Sequence, residues 1–448
     1  MTGIIKYRFV AAIVLASWLP VAATPALAQG NPPPPGETGA RENRPDDSTS
    51  TKPAHGDAES TEAESDGGAK GAPGWKVYWK DALRVESPDS DLKLKFGGRI
   101  QLDGAVFDAR NGIEELGDFD DDFEVRRARV YYSGTWREKL EFKTQIELKE
   151  NNVEARDVYI GLRDIPIIGN IRLGHFKEPI GLNELTSSKY LMFMERSLTT
   201  DAFQEGRNAG VMIHDSAFKK RMTWALGVFR NTDQFFNGEI NDGIALTGRL
   251  TGLPWYEDHG AKLLHLGVGW RHFDPRGDPS RVRSRPEAHL APRLIETGNF
   301  QADMLDILGL EFALIHGPFS VQGEFFQAFI NRKNGVGEIQ FSPFYLQASY
   351  FLTGEHRNYL TADAAFGKLK PKNDFGKDSG WGAWEVAARY SYLDLNDDDI
   401  NGGRLNNFSA GLNWYLNQYT RVLWNYVYID PDDSGQVHAF QMRLQIAF

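Results

Sequence analysis

The sequence predicts an all-β fold, a transmembrane antiparallel β-barrel of about 16 strands. In residues 437–448, large apolar side chains alternate with alanine, glutamine and Arg443 up to the terminal Phe448. Segments with strand character, bounded by Gly, Asn, Asp or Pro, recur along the rest of the chain. A period of two gives a strand one apolar and one polar face, as a membrane barrel requires because lipid covers one face and water the other.

The N-terminus predicts export and then a spacer. In residues 1–28, Lys6 and Arg8 precede the apolar run 9–21, and Ala26 and Ala28 supply a small-residue cleavage pattern, so we expect a cleaved signal peptide. The run is short for a membrane helix, which needs about 20 residues. Residues 29–74 are rich in Pro, Gly and acids and lack aromatics, which predicts a disordered acidic linker. The barrel is expected over residues 75–448.

The strands are assigned from alternation and from the residues that bound them. An even number lets one chain close on itself, and the absence of cysteine suits an exported chain. A further strand is possible at 359–366. The assigned strands are 92–106, 123–136, 139–149, 155–163, 170–176, 209–216, 222–230, 244–253, 263–273, 307–316, 319–330, 344–353, 383–393, 405–416, 419–428 and 437–448.

Three stretches, 177–207, 274–306 and 354–382, are too long for turns. Long connections of such barrels lie outside and short turns face the periplasm, but a long loop can also fold inward. The first stretch is the best candidate for an infolded loop, since it combines apolar residues 191–194 with the polar Ser187 and Lys189. The alternative is an external loop or an oligomer contact.

Two arginine clusters give the predicted lumen a positive charge. Arg281, Arg283 and Arg285 are spaced two apart and share one side of an extended chain, where they can pass an anion from site to site. The alternative is a solvated basic loop. In the second cluster, alternation places Arg127 on one face and Arg126 on the other, near the membrane rim. The register of this strand stays open.

From about residue 92 to the end, the chain resembles the phosphate-selective porins of bacterial outer membranes. The resemblance implies a homotrimer of 16-stranded barrels in outer-membrane lipid, with an infolded third loop and an arginine ladder leading to a central anion site. It also implies recognition of Phe448 by the barrel-assembly machinery. No cofactor, metal or nucleic acid is expected. The matching stretches are 98–103, 126–129, 174–196, 280–285, 347–355, 382–386, 411–415 and Phe448.

The resemblance assigns roles to particular residues. Those carried over are Ser187, Ser188 and Arg196 as constriction donors, Arg126 and Arg127 as the strand arginines opposite, and Arg281, Arg283 and Arg285 as the ladder. Two positions depart from the family pattern. Glu184 stands where the prototypes have lysine, and His289 stands where a fourth ladder arginine would be. Lys177 or Lys189 could compensate by reaching inward.

The predicted function is passive, binding-facilitated diffusion of phosphate or related anions. The alternatives are a less selective porin for other small solutes and, remotely, an outer-membrane enzyme. No GxSxG, HExxH or P-loop motif is present. The net charge of -11 resides largely in the linker and in acidic runs such as 118–122, and salt screens distant acids over about 8 Å.

Overall fold

The computed structural model describes residues 74–110, 113, 117–149, 152–204, 206–232, 243–432 and 435–448. The predicted signal peptide, and the predicted linker up to residue 73, lie outside the described residues. No helix in the described part of the chain is both long and apolar enough to cross a membrane.

Sixteen antiparallel strands form a closed barrel, which confirms the predicted fold class and strand number. Each strand pairs with the next, and the last pairs with the first. The strands are β1 (Leu92–Arg110), β2 (Asp122–Trp136), β3 (Leu140–Lys149), β4 (Asn152–Ile165), β5 (Gly169–Phe176), β6 (Asn208–Ala217), β7 (Met222–Arg230), β8 (Ile244–Glu257), β9 (Lys262–Asp274), β10 (Phe300–His316), β11 (Phe319–Arg332), β12 (Phe344–Phe351), β13 (Ala383–Asp397), β14 (Ile400–Tyr415), β15 (Thr420–Pro431) and β16 (Gln436–Ala447).

The terminal strand has the two faces that its alternation predicts. Phe440, Leu444 and Ile446 are exposed on the outside of the barrel, whereas Arg443 and Gln445 are buried inside it. Because β16 pairs with β1 from Ala447 to Gln436, these inward side chains lie along the seam where the barrel closes. Along the Arg443–Gln445 part of the strand, the outer surface is therefore apolar and the inner surface polar.

Several elements differ from the predicted ones. Strand β10 begins at Phe300, not at residue 307. A short strand, Gly337–Phe341, continues the line of β12 along β11, and Pro343 interrupts the two because proline lacks the N–H that a ladder needs. The candidate strand at 359–366 is not part of the wall. Its ends pair with each other, Tyr359–Leu360 with Ala365–Phe366.

An N-terminal hairpin was not predicted. Lys76–Trp79 pairs with Leu83–Glu86, which in turn pairs with the start of β1. This part of β1 extends beyond the end of β16, so the hairpin covers backbone groups that would otherwise form an open edge.

Strand parity divides the connections between two ends of the barrel. The end that carries Phe448 is called the turn end, and the opposite one the loop end. The 177–207 and 275–299 connections lie at the loop end, whereas the 352–382 connection joins β12 to β13 at the turn end. The expectation that all three long connections share the outer side is wrong for the third, because an even-numbered strand precedes it.

The barrel interior is filled near the loop end. Ile180, Leu198 and Phe203 from one long connection and Val282 and Ile295 from another pack in one buried apolar cluster with inward side chains of the wall. Burial of these apolar residues holds both connections inside the barrel. The loop end is consequently partly closed by packed side chains.

The two-faced wall can be tested on the terminal strand. Phe440→Arg places a charge on the lipid face and should lower the free energy of unfolding by about 2–4 kcal/mol, measured by urea unfolding in lipid vesicles. His438→Arg, on the same face but closer to the strand end, should cost about 0–1 kcal/mol. Equal losses for the two variants would contradict the assignment of Phe440 to lipid.

Candidate functional site

The connection of residues 177–207, here called the constriction loop, folds into the lumen as predicted. It contains two short helices, α1 (Leu182–Leu185) and α2 (Leu198–Phe203). Leu191, Met192 and Met194 between them are almost fully buried. These are the apolar anchors that mark the loop in the sequence.

Inward polar side chains of the wall hold the backbone of the constriction loop. An irregular segment inside a barrel needs partners for its carbonyl groups, since each unpaired buried group is costly. The donors come from β1, β13, β14, β15 and β16. They are Gln101 to the carbonyl of Ser188 (3.2 Å), Gln445 to Lys189 (3.2 Å), Arg421 to Leu191 (2.8 Å), Asn413 to Met192 (2.8 Å), Arg389 to Glu195 (3.1 Å) and Arg443 to Met194.

The start of the loop is held by a wall carboxylate. Glu324 of β11 accepts hydrogen bonds from the backbone N–H groups of Leu182 (3.0 Å) and Asn183 (2.6 Å). These are the first N–H groups of α1 and have no partner within the helix. Tyr345 of β12 donates its hydroxyl to the same carboxylate at 2.6 Å. Glu324 thus fixes the position from which the loop crosses the lumen.

Arg126 and Arg127 both point into the lumen. The expectation that Arg126 takes the opposite face near the rim is wrong, because a register shift between Gln101 and Leu102 leaves Arg126 as the extra residue of a β-bulge. Glu195 of the constriction loop pairs with Arg126 at 2.9 Å and with Arg127 at 3.5 Å. This carboxylate therefore offsets much of the positive charge of the strand arginines.

Glu184 lies in α1 of the constriction loop, outside the lining of the lumen cavity, and is almost fully buried. Its carboxylate pairs with Arg196 at 2.8 Å and with Lys177 at 3.0 Å. Arg196 also donates to the carbonyls of Asn183 and Thr186. Burial opposes the charged form, but Arg196 and Lys177 hold the pKa of Glu184 below its ordinary value. Glu184 thus neutralises two basic groups that sequence reasoning placed at the constriction.

A cavity of about 530 Å³ lies between the constriction loop and the turn end. Its lining brings together six of the sequence-predicted residues with further basic groups of the wall. The predicted residues are Arg127, Lys177, Ser187, Ser188, Lys189 and Arg196, and the further basic residues include Lys95, Arg99, Arg129, Lys143, Arg172, Arg207 and Arg249. Arg126 and Glu184 stand outside this lining.

Three of the lining cations lack a carboxylate partner. Among the described residues, no acidic side chain lies within 4.0 Å of Lys95, Arg99 or Lys189. Arg99 instead donates to the hydroxyl of Ser188 at 2.6 Å. The ammonium of Lys189 lies 5.5 Å from the centre of the Tyr131 ring. Sequence reasoning missed Arg99 and Lys95, although Arg99 alternates with the inward Gln101 and Asp103 of β1.

The ladder arginines lie outside this cavity, on the 275–299 connection at the loop end. Arg281 lines a separate cavity of about 250 Å³ together with Arg271. Arg283 lies on the short ladder between Arg283–Ser284 and Ile295–Glu296. Arg285 does not extend this row, because its guanidinium donates to the carbonyls of His289 (2.8 Å) and Ala291 (2.6 Å).

His289 faces β2 and not the lumen cavity. Its Nδ1 atom lies 2.8 Å from a carboxylate oxygen of Glu124. Arg285 and His289, the last two positions of the predicted ladder, therefore hold the connection in place, and Arg281 and Arg283 remain as its exposed or half-buried cations.

The third long connection enters the lumen from the turn end. Its short ladder, here called the lower hairpin (residues 359–366), packs beneath the constriction loop. The Tyr359 hydroxyl lies 2.7 Å from Nδ1 of the buried His265, and Arg249 donates to the carbonyl of Ala364 at 3.0 Å. The Phe366 N–H donates to Thr186 of the constriction loop at 3.3 Å. Segments from opposite ends of the barrel thus meet at the constriction.

Comparison with known proteins decides the family. The family model described as phosphate-selective porin O and P matches residues 94–448. The chain belongs to this family. It is a porin of the bacterial outer membrane. Within the described residues, no group of three or more His, Asp or Glu side chains is arranged to hold a metal ion.

Relatives and solved structures agree with this assignment. An uncharacterized Caulobacter vibrioides protein is 30% identical, the match covering 79% of this chain and 72% of that one. Porin O of Pseudomonas aeruginosa is 26% identical, over 83% and 92% of the two chains. An anion-selective porin from Comamonas acidovorans has a similar fold, with a TM-score of 0.52 at 14% identity over 80% of this porin and 100% of that one.

The anchoring of the constriction loop can be tested at Arg443. Arg443→Met would leave the buried Asp103 carboxylate without its cation, so we expect a loss of about 3 kcal/mol or more in the free energy of unfolding, measured by urea titration of the refolded porin. Arg137→Met removes an exposed ion pair with Asp91 and should cost at most about 1 kcal/mol. Equally small losses would contradict the anchoring role.

Proposed function

We propose that this porin conducts phosphate or related small anions by passive diffusion, assisted by binding in the cavity beneath the constriction loop. The observation that carries the proposal is the set of three cavity cations, Lys95, Arg99 and Lys189, that have no carboxylate partner among the described residues. Their charge is available to a permeating anion, whereas the charges of Arg196 and Arg126 are offset by Glu184 and Glu195.

The chemistry of the cavity suits an oxyanion. A guanidinium, two ammonium groups and the hydroxyls of Ser187 and Ser188 together supply many donors to one region, and charge-assisted hydrogen bonds to oxyanions are among the stronger ones. Arg281 and Arg283 at the loop end would raise the local anion concentration before the constriction. Binding must remain weak enough for release. No catalytic step is part of the proposal.

A less selective porin is the second candidate. It is favoured by the neutralisation of Arg196 by Glu184, since fewer free cations at the constriction would weaken the preference for a dianion. The two candidates differ in the effect of phosphate on chloride current.

We further propose that export uses the predicted signal peptide and that the barrel assembles as a homotrimer in outer-membrane lipid. The Vibrio cholerae protein OmpT, described in a trimer form, shares the fold with a TM-score of 0.51 at 12% identity. In this proposal the barrel-assembly machinery recognises Phe448, which follows β16 directly. Cross-linking of the refolded porin in detergent would test the trimer.

Planar-bilayer recording tests the function. The porin should prefer anions in a KCl gradient, and added phosphate should reduce chloride current. Arg99→Gln removes a charged donor, so the half-blocking phosphate concentration should rise about tenfold, the effect of losing one charge-assisted hydrogen bond. Arg137→Gln, the same charge change at an exposed site, should leave it unchanged. Cation preference, or chloride current unaffected by phosphate, would refute the phosphate proposal.

Lys189 should make the anion preference depend on pH. Burial, reinforced by the neighbouring charges of Arg99 and Lys95, lowers the pKa of Lys189 to about 7. The side chain is then charged below this pH and neutral above it. We expect chloride preference in a KCl gradient to fall between pH 6 and pH 8, because Lys189 loses its charge over this range. Chloride itself does not titrate, so the change reports on the protein. Lys189→Met should show a smaller fall than the parent, and the fall that remains is expected from Lys177, which lines the same cavity and whose pKa burial also lowers to about 7. An unchanged pH profile in this variant would contradict the role of Lys189.

A further inference from the structure

The lower hairpin carries a carboxylate into the basic cavity. Ala362 and Asp363 at its tip line the cavity and are exposed within it. The backbone N–H of Asp363 donates to the carbonyl of Leu360 at 3.2 Å and closes the turn. Among the described residues, no basic nitrogen lies within 4.0 Å of the Asp363 carboxylate. The group therefore faces cavity water without an ion-pair partner.

Asp363 is set apart by its exposure, because the half-buried Asp215 of β6 also lines the cavity and likewise has no basic nitrogen within 4.0 Å among the described residues. Asp157 is held by Arg207 at 2.7 Å and by Lys143. Glu141 pairs with Arg172 at 2.8 Å. Burial raises the pKa of Asp363, and the more distant charges of Arg172 and of nearby lysines oppose this shift. Because the Asp363 side chain is exposed in the cavity and has no cation at close range in the described part of the chain, its ionised form presents a negative charge to the cavity.

The lower hairpin is fixed in position by contacts with the wall and the constriction loop. Tyr359 contacts His265, and Arg249 donates to the carbonyl of Ala364, the residue directly after Asp363. The rings of Tyr359 and Phe366 pack edge to face at 5.7 Å between centroids. Thr186 accepts a hydrogen bond from Phe366. These contacts on both strands of the hairpin hold its tip below the constriction.

We propose that Asp363 is a specificity-determining residue of this porin, a tethered carboxylate that opposes anions in the cavity and limits their preference over cations. The inference rests on the proposed anion conduction. The Asp363 carboxylate repels a divalent anion about twice as strongly as a monovalent anion at the same distance. Screening extends over about 8 Å at physiological salt, so the effect is confined to ions inside the cavity.

The test compares three variants in planar bilayers, using KCl gradients and inorganic phosphate. Asp363→Asn should raise the anion-to-cation permeability ratio about twofold or more and lower the half-blocking phosphate concentration about fivefold. Asp363→Glu keeps the charge and should resemble the parent porin. Asp378→Asn makes the same charge change on the same connection, outside the cavity lining. Its backbone has a φ of 49°, which asparagine tolerates, and it should also resemble the parent.

The outcomes separate this inference from the proposed function. If the parent porin prefers anions but Asp363→Asn gives the same reversal potential as Asp378→Asn, the role of Asp363 is refuted and anion conduction stands. If the parent prefers cations, the proposed function fails by a measurement that needs no variant. Folding is checked by the mobility of unheated samples on denaturing gels. Should the asparagine variant not fold, Asp363→Ser provides the second neutral side chain.

Discussion

The structure depends on one buried guanidinium at the seam of the barrel. Arg443 of β16 and Asp103 of β1 are direct register partners, and their side chains form two hydrogen bonds of 2.6 and 2.5 Å. The same guanidinium donates to the carbonyl of Met194 and lies 2.7 Å from the Glu195 carboxylate. Barrel closure and the position of the constriction loop therefore share one charged group, and its loss would leave the Asp103 carboxylate at the seam uncompensated.

This anchoring determines which charges remain for the permeating ion. Glu195 satisfies Arg443 but also offsets Arg126 and Arg127, and Glu184 does the same for Arg196 and Lys177. The carboxylates that hold the loop in place also cancel part of the positive charge of the basic residues at the constriction. Arg99 and Lys189, which have no carboxylate partner among the described residues, line the cavity on the turn-end side of these ion pairs. The position of the proposed anion site thus follows from how the loop is fixed.

Local patterns made the wall predictable from the sequence. Alternation is a property of neighbouring residues, so it located all 16 strands and assigned both faces of β16. The bulge at Arg126 was not visible, because it depends on the register of β1 against β2. The partners of Glu184 and Arg285 lie within their own irregular connections. Spacing cannot reveal how such a connection folds back on itself. Six of the candidate residues line the cavity, but the sequence did not show which of their charges are already paired.

Conduction requires both attraction and release, and the two long connections that meet at Thr186 and Phe366 supply opposite charges. The constriction loop presents Lys189 and Ser188 to the cavity, and the lower hairpin presents Asp363. A strongly basic cavity alone would retain a dianion, since flux falls when binding is too tight. A carboxylate on the turn-end side weakens the bound state without removing the attraction at the constriction. The proposed role of the unpaired acid is thus compatible with an anion porin, because a carboxylate at this position would shorten the residence of an ion that the cations attract.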